Sequence, residues 1–176
     1  MRAVAYTAHL VRVPAAQTQG LPEDAGGAGA ALERGRRTPG AALDLDEAWA
    51  PLHFVLTDEL PIPKDEALRR GLEVSDSPLE TAILGGQPTP FGTTYGVVRY
   101  LSPPTVQRVS RALDALPAGD VQSRYDPDWL REMRVPMVWA DTVDEERAWL
   151  GAYYQRLRAF YRQAAGAGDA VLSYLL

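Results

Sequence analysis

The chain has 176 residues, 46% of them hydrophobic and 23% charged, with a formal net charge of -5; a chain of this length is expected to form one domain that buries roughly 70% of its unfolded surface. It contains no cysteine, which excludes a disulfide framework and a thiolate metal site and points to the cytoplasm. Its 18 basic residues, all arginine except Lys64, are scattered along the chain, so the basic stripe of a nucleic-acid binder is missing.

Residues 2–13 mix β-formers with small or polar residues, Val4 and Tyr6 preceding His9, Leu10, Val11, Arg12 and Val13. Pro14 lacks the N–H that a continuing strand would donate, so a first strand is expected to end there. His9 and Arg12 also interrupt any secretory apolar core, and no later run approaches the ~18 apolar residues of a membrane span. Neither export nor membrane insertion is expected. Residues 20–42 are rich in Gly, Ala and Pro and carry Arg34, Arg36 and Arg37. With so few large apolar side chains to offset its ordering entropy, this segment reads as a mobile loop that could end a short helix.

Asp44, Asp46 and Glu47 are acids suited to a helix N-terminus, and Leu45, Trp49, Leu52 and Leu56 follow at helical spacing. A helix over residues 43–57 is expected, with Pro51 in its first turn or at a kink, since an interior proline removes a donor and clashes one turn back. Residues 61–66 read as a turn, and residues 78–84 as a short helix or strand that stops at Gly85 and Gly86, a pair that permits positive φ. Beyond Pro88 and Pro90, residues 95–101 form a strand, and Ser102 and Pro103 start a helix with Val106, Val109, Leu113 and Leu116 on one face. Asp126 is placed to cap a second proline-started helix over residues 127–133, followed by extended or irregular chain at 135–139. The longest helix is expected over residues 144–165, where Leu150, Tyr153, Tyr154, Leu157, Phe160, Tyr161 and Ala164 form a stripe that reads as core. Gly166 and Gly168 stop it, and residues 170–176 read as a closing strand. Strands near both termini with helices between them give an α+β class: one domain over residues 1–176, with a small mixed sheet packed by several helices.

Metal binding would need converging ligands, yet only His9 and His53 are present and no HExxH spacing occurs. Helix capping explains Asp44, Asp46 and Glu47 better than a Mg²⁺ or Ca²⁺ site does, because the alternation through a glycine turn is absent. Gly85 and Gly86 lead into Gln87 and Pro88, not into the GK[ST] ending of a phosphate loop, and no GxSxG elbow occurs. No metal and no cofactor is expected.

The segment Leu43, Asp44, Leu45, Asp46, Trp49, His53, Phe54, Leu56 and Thr57, and then Pro78, Leu79, Ala82, Ile83, Leu84, Gly85 and Gly86, resemble the early and middle segments of the YfbM-like family of bacterial proteins of unknown function. Tyr95, Gly96, Arg99, Tyr100 and Leu101, then Tyr125, Asp126 and Pro127, and finally Phe160, Tyr161, Leu172, Tyr174 and Leu175 continue the resemblance in order. It covers most of residues 43–176, whereas residues 20–40 have no counterpart in it. The resemblance implies a compact α+β domain and carries no mechanism with it.

The least ordinary cluster is Asp44, Asp46, Trp49 and His53 with Tyr95, Arg99 and Tyr100, because acid, imidazole, guanidinium and aromatic walls are the parts of a small polar pocket. In a continuous helix Asp46, Trp49 and His53 stand at i, i+3 and i+7 on one face. His53 and Asp46 are therefore the candidate catalytic residues; Asp44, Trp49, Tyr95, Arg99 and Tyr100 are the candidate binding residues. The competing reading packs Trp49 and His53 in the core and pairs Arg99 with an acid. Two functions follow. The first is a non-enzymatic binding or interaction domain for a protein partner or a small anionic ligand. The second is a hydrolase or lyase in which His53 is the general base, oriented by Asp46, while Arg99 holds an anionic group.

Overall fold

In a computed structural model, which describes residues 6–63, 66, 69, 71, 77–136 and 142–176, alternation along strand β1 (Ala8–Val13) sends Ala8 and Leu10 to one side and Val11 and Val13 to the other. β2 (Ala42–Asp44), β3 (Gln87–Thr93), β4 (Gly96–Leu101) and β5 (Ala170–Leu175) complete a five-stranded sheet in the order β2-β1-β5-β4-β3. The α+β class and the strands near both termini are as expected, but the sheet is not mixed. All four of its pairings are antiparallel. The expected strand residues 2–5, the turn at 64–65 and the extended chain at 137–139 lie outside the described residues.

β5 lies between β1 and β4, so the last strand in the chain is the centre of the sheet. Its odd and even side chains enter two separate cores: Val171 joins Leu10, Leu101 and the helices on one face, and Ala170 and Leu172 join Val11 and Val98 on the other. The larger core is roofed by α2 (Trp49–Thr57), α3 (Pro78–Leu84), α4 (Pro103–Ala115), α5 (Ala118–Ser123), α6 (Pro127–Glu132) and α7 (Val143–Ala167). α7 buries Leu150, Tyr154, Leu157, Phe160, Tyr161 and Ala164, while Tyr153 of the expected stripe is half-buried. Gly168 ends this helix in the left-handed region at φ 71°.

The other face is covered by α1 (Ala25–Arg37), which occupies most of the segment expected to be a mobile loop. Asp24 caps it by accepting from the Gly26 N–H at 2.9 Å. Its buried side is small, consisting of Ala28, Ala31, Leu32 and Gly35. The small residues let the helix lie close to the sheet: a Cβ at Gly35 would stand 2.0 Å from Val11 Cγ1, and one at Gly29 would stand 2.8 Å from the Phe91 ring. Sheet contact supplies the burial that composition alone did not promise.

The helix expected over residues 43–57 starts later. Leu43 lies in β2, a 3-10 turn covers Asp46–Ala48, and α2 opens at Trp49. Pro51 is therefore the third residue of the helix, where its missing N–H costs nothing. β3 went unread because it contains Pro88 and Pro90; it is an edge strand, the place where a sheet tolerates prolines. Short α3 ends on side-chain donors from distant elements: Tyr161 Oη donates to the Ala82 carbonyl at 2.7 Å and Ser173 Oγ to the Ile83 carbonyl at 2.6 Å.

Candidate functional site

Three of the seven singled-out residues meet at one cavity of about 420 Å³, at the edge of the helix-covered face of the sheet. Trp49 opens α2, and its indole N–H donates to the Tyr6 carbonyl at 2.7 Å, which ties the helix start to the segment entering β1. Arg99 lies in β4 opposite Ser173 of β5 and Pro88 of β3. Alternation puts its side chain on the same face as Leu101, and it is only 6% exposed. Tyr95 belongs to the two-residue turn that joins Thr93 to Gly96, and Thr93 Oγ1 fixes that turn by donating to the Leu175 carbonyl at 2.9 Å. Gly96 carries φ 127°, a conformation that the tight turn requires and a side chain would resist.

Around Arg99 the cavity is walled by Trp49, Tyr6, Tyr95 and Ile62. The Tyr6 and Tyr95 rings meet edge to face with centroids 4.3 Å apart, and both are exposed at the mouth. Glu66 and Arg69, an ion pair with each other, also line it. Among the described residues the lining therefore carries two guanidinium groups against one carboxylate. A half-open cavity with aromatic walls and a buried cation suits a small ligand with an apolar body and an anionic end.

The remaining four candidates lie elsewhere. Asp44 is exposed; its Oδ1 accepts from the Asp46 N–H at 2.7 Å, closing the turn before α2, and lies 3.7 Å from His9 Nδ1. His9 has its pKa lowered by burial, an effect that Asp44 partly offsets. Asp46 is exposed at φ 49° and accepts from Tyr153 Oη at 3.4 Å. It belongs to the 3-10 turn, so the i, i+7 register that would have set it beside His53 does not exist. His53 is buried and lines a different cavity, next to Glu80. Burial pushes its pKa down to about 4. Tyr100 points away from Arg99 and packs with Phe91 and Leu172 on the other side of the sheet.

Tyr6, Ile62 and Glu80 were not foreseen. No local spacing could have found them, because each lines its cavity together with residues from distant segments. Among the described residues no group of three or more His, Cys, Asp or Glu side chains could hold a metal ion, and no helix is long and apolar enough to cross a membrane.

The profile of a family described as a domain of unknown function, DUF1877, matches residues 5–174, so the likeness extends well before residue 43 and across α1. Among solved structures, a protein of unknown function from Escherichia coli, YfbM, superposes with a TM-score of 0.68 at 16% identity, covering 97% of this chain and 99% of its own. At that identity the likeness is one of fold. No curated protein matches the chain.

Proposed function

We propose that this chain, which belongs to the DUF1877 family, is a binding domain for a small anionic ligand held in the Arg99 cavity. The observation that carries the reading is Arg99, a residue only 6% exposed, at a cavity walled by Trp49, Tyr6 and Tyr95. A guanidinium has five N–H donors in a fixed fork, enough to hold a protein acceptor and a ligand oxygen together. Its planar edge matches a carboxylate or phosphate, and partial exclusion of water strengthens that charge pair. The aromatic walls would take the ligand's apolar body. The hydrolase or lyase reading has less support, because its general base was to be oriented by Asp46, which bonds to Tyr153 instead. The cytoplasm is the compartment we assign, a reading supported by the lack of cysteine.

The test is a thermal-shift panel of small carboxylates and phosphates, including benzoate, succinate and inorganic phosphate, at fixed ionic strength. A ligand present at 100 times its Kd adds roughly 2.7 kcal/mol of stability. At least one anion is expected to raise Tm in a concentration-dependent way, and Arg99→Gln and Tyr95→Ala are expected to weaken that effect. Equal shifts in the unaltered protein and in the exposed-site variant Tyr95→Ala, or no shift with any anion, would sink the reading.

A further inference from the structure

Where β1 ends there is a cavity of about 210 Å³ that shares no lining residue with the Arg99 cavity. It opens between the 3-10 turn Ala15–Gln17, the last turns of α1 and the loop at residues 38–41, and Asp169, the residue before β5, completes it. Residues 12–41, which supply all of the lining except Asp169, are described without a gap. Asp169 is only 7% exposed. Arg12 donates from Nε to its Oδ2 at 2.9 Å, and Arg12 Nη2 lies 2.8 Å from the same oxygen. Asp169 Oδ1 takes no hydrogen bond among the described residues. Arg12 Nη1 turns to Gln163 Oε1 at 3.3 Å, so the protein itself engages that guanidinium. Arg34 differs: Arg36 and Arg37 both pair with Glu33, whereas Arg34 has no ion pair among the described residues. The cavity thus presents an open carboxylate oxygen and an open guanidinium that do not pair with each other.

We propose that this cavity is a second binding site, and that it takes a small α-amino acid as its zwitterion, with the ammonium on Asp169 and the carboxylate on Arg34. A carboxylate has about four lone-pair sites, and Arg12 uses only those of Oδ2, so Oδ1 accepts from an ammonium without breaking the internal ion pair. The Arg34 guanidinium offers its planar edge to a carboxylate, and charge-assisted bonds of both kinds are stronger than neutral ones. The charges of the lining select against simpler ions. An anion drawn by Arg34 is repelled by Asp169, and a cation drawn by Asp169 is repelled by Arg12 and Arg34. A molecule that carries both charges on one carbon gains both attractions. Val13, Ala31 and Ala41 add an apolar wall for a short side chain. The volume is below the ~300 Å³ at which pockets accept drug-sized ligands, so the ligand has few heavy atoms. This site does not depend on the reading of the Arg99 cavity, since the two have no lining residue in common.

The experiment follows the backbone amide resonances of Gly40 and Ala41, two lining residues, by NMR as the full chain is titrated with L-alanine. Sodium propionate, which lacks the ammonium, and ethylammonium chloride, which lacks the carboxylate, are run beside it at constant ionic strength. Alanine is expected to shift both amides saturably, and each of the other two to bind about tenfold more weakly, the loss of one charge-assisted hydrogen bond. Arg34→Gln, a change at an exposed position, should weaken alanine binding about tenfold as well. Arg99→Lys should leave it unchanged, which keeps this site distinct from anion binding at the other cavity. Asp169→Asn should erase the preference for alanine over propionate; if that variant does not fold, the comparison of the three ligands on the unaltered protein decides the matter. Amides unmoved by excess alanine, propionate or ethylammonium binding as tightly as alanine, or an Arg34→Gln protein that binds alanine as well as the unaltered one would each overturn the proposal.

Discussion

Burial acts on Arg99 and His53 in different ways. A guanidinium remains charged wherever it is placed, so its surroundings must supply acceptors. An imidazole escapes the cost by releasing its proton, and His53 does so with a pKa of about 4 against an ordinary value of 6.5. The consequence for stability has a definite sign. Because the folded-state pKa is depressed, the unfolded chain takes up the proton first as pH falls, and stability declines between about pH 6.5 and pH 4. The full effect is on the order of 3 kcal/mol, from 1.36 kcal/mol per pKa unit. Urea unfolding at pH 7, 5.5 and 4 is expected to show this decline in the unaltered protein and a smaller one in His53→Gln. Equal slopes would mean that other groups carry the acid response. At this scale the sequence was legible where a side chain acts on its own neighbourhood. Asp126 accepts from the Asp128 and Trp129 N–H groups at the start of α6, as its position before Pro127 implied. It was illegible where a pairing had to cross elements: Asp46, expected beside His53, accepts from Tyr153, and Asp44 faces His9.

Among the elements, α1 and α2 depart furthest from expectation. α1 has only one large apolar residue on its buried side, so periodicity gives a faint signal, and its glycines read as loop. Two of those glycines, Gly29 and Gly35, are positions of close approach to the sheet. A Gly→Ala change in a free helix gains about 1 kcal/mol, but at Gly35 the new methyl would stand 2.0 Å from Val11 Cγ1 and 3.3 Å from the Arg12 carbonyl. Gly35→Ala is therefore expected to cost about 1–3 kcal/mol in urea unfolding, the usual penalty of an overpacked contact. Gly29→Ala should cost less, because it presses only on the half-buried Phe91 ring. A stabilised Gly35→Ala protein would contradict the packing described for α1. α2 illustrates the converse case: Leu43 in the strand, Ala48 in the 3-10 turn and Trp49, Leu52 and Leu56 in the helix are all buried, so three elements share the stretch that reads as one helix. Burial is common to all three, so hydrophobicity could not mark their boundaries.

For the whole molecule, the decisive fact is that β5 pairs with both β1 and β4. Until this strand forms, β2-β1 and β4-β3 are separate ribbons, and two-stranded ribbons are marginal in water. Deleting residues 170–176 is therefore expected to abolish the cooperative thermal transition, measured by circular dichroism, and not merely to lower Tm. A truncated chain that still unfolds cooperatively would show that the helices hold together without the central strand. Both cavities depend on the same assembly, since the Arg99 site takes residues from β4, from the β3–β4 turn, from α2 and from the segment before β1. The sequence by itself determined the α+β class, the long α7 helix with its aromatic stripe, the proline-started helices α4 and α6, and a chain without thiol chemistry. Each of these depends on periodicity, capping or composition within a short stretch of chain. Only the tertiary structure decided the antiparallel strand order, the helix made of small residues, the separation of Asp46 from His53, and the joining of Arg99 with Trp49, Tyr6 and Tyr95. Those outcomes depend on which distant surfaces exclude water together, and that free energy is shared between segments and is not contained in either one alone.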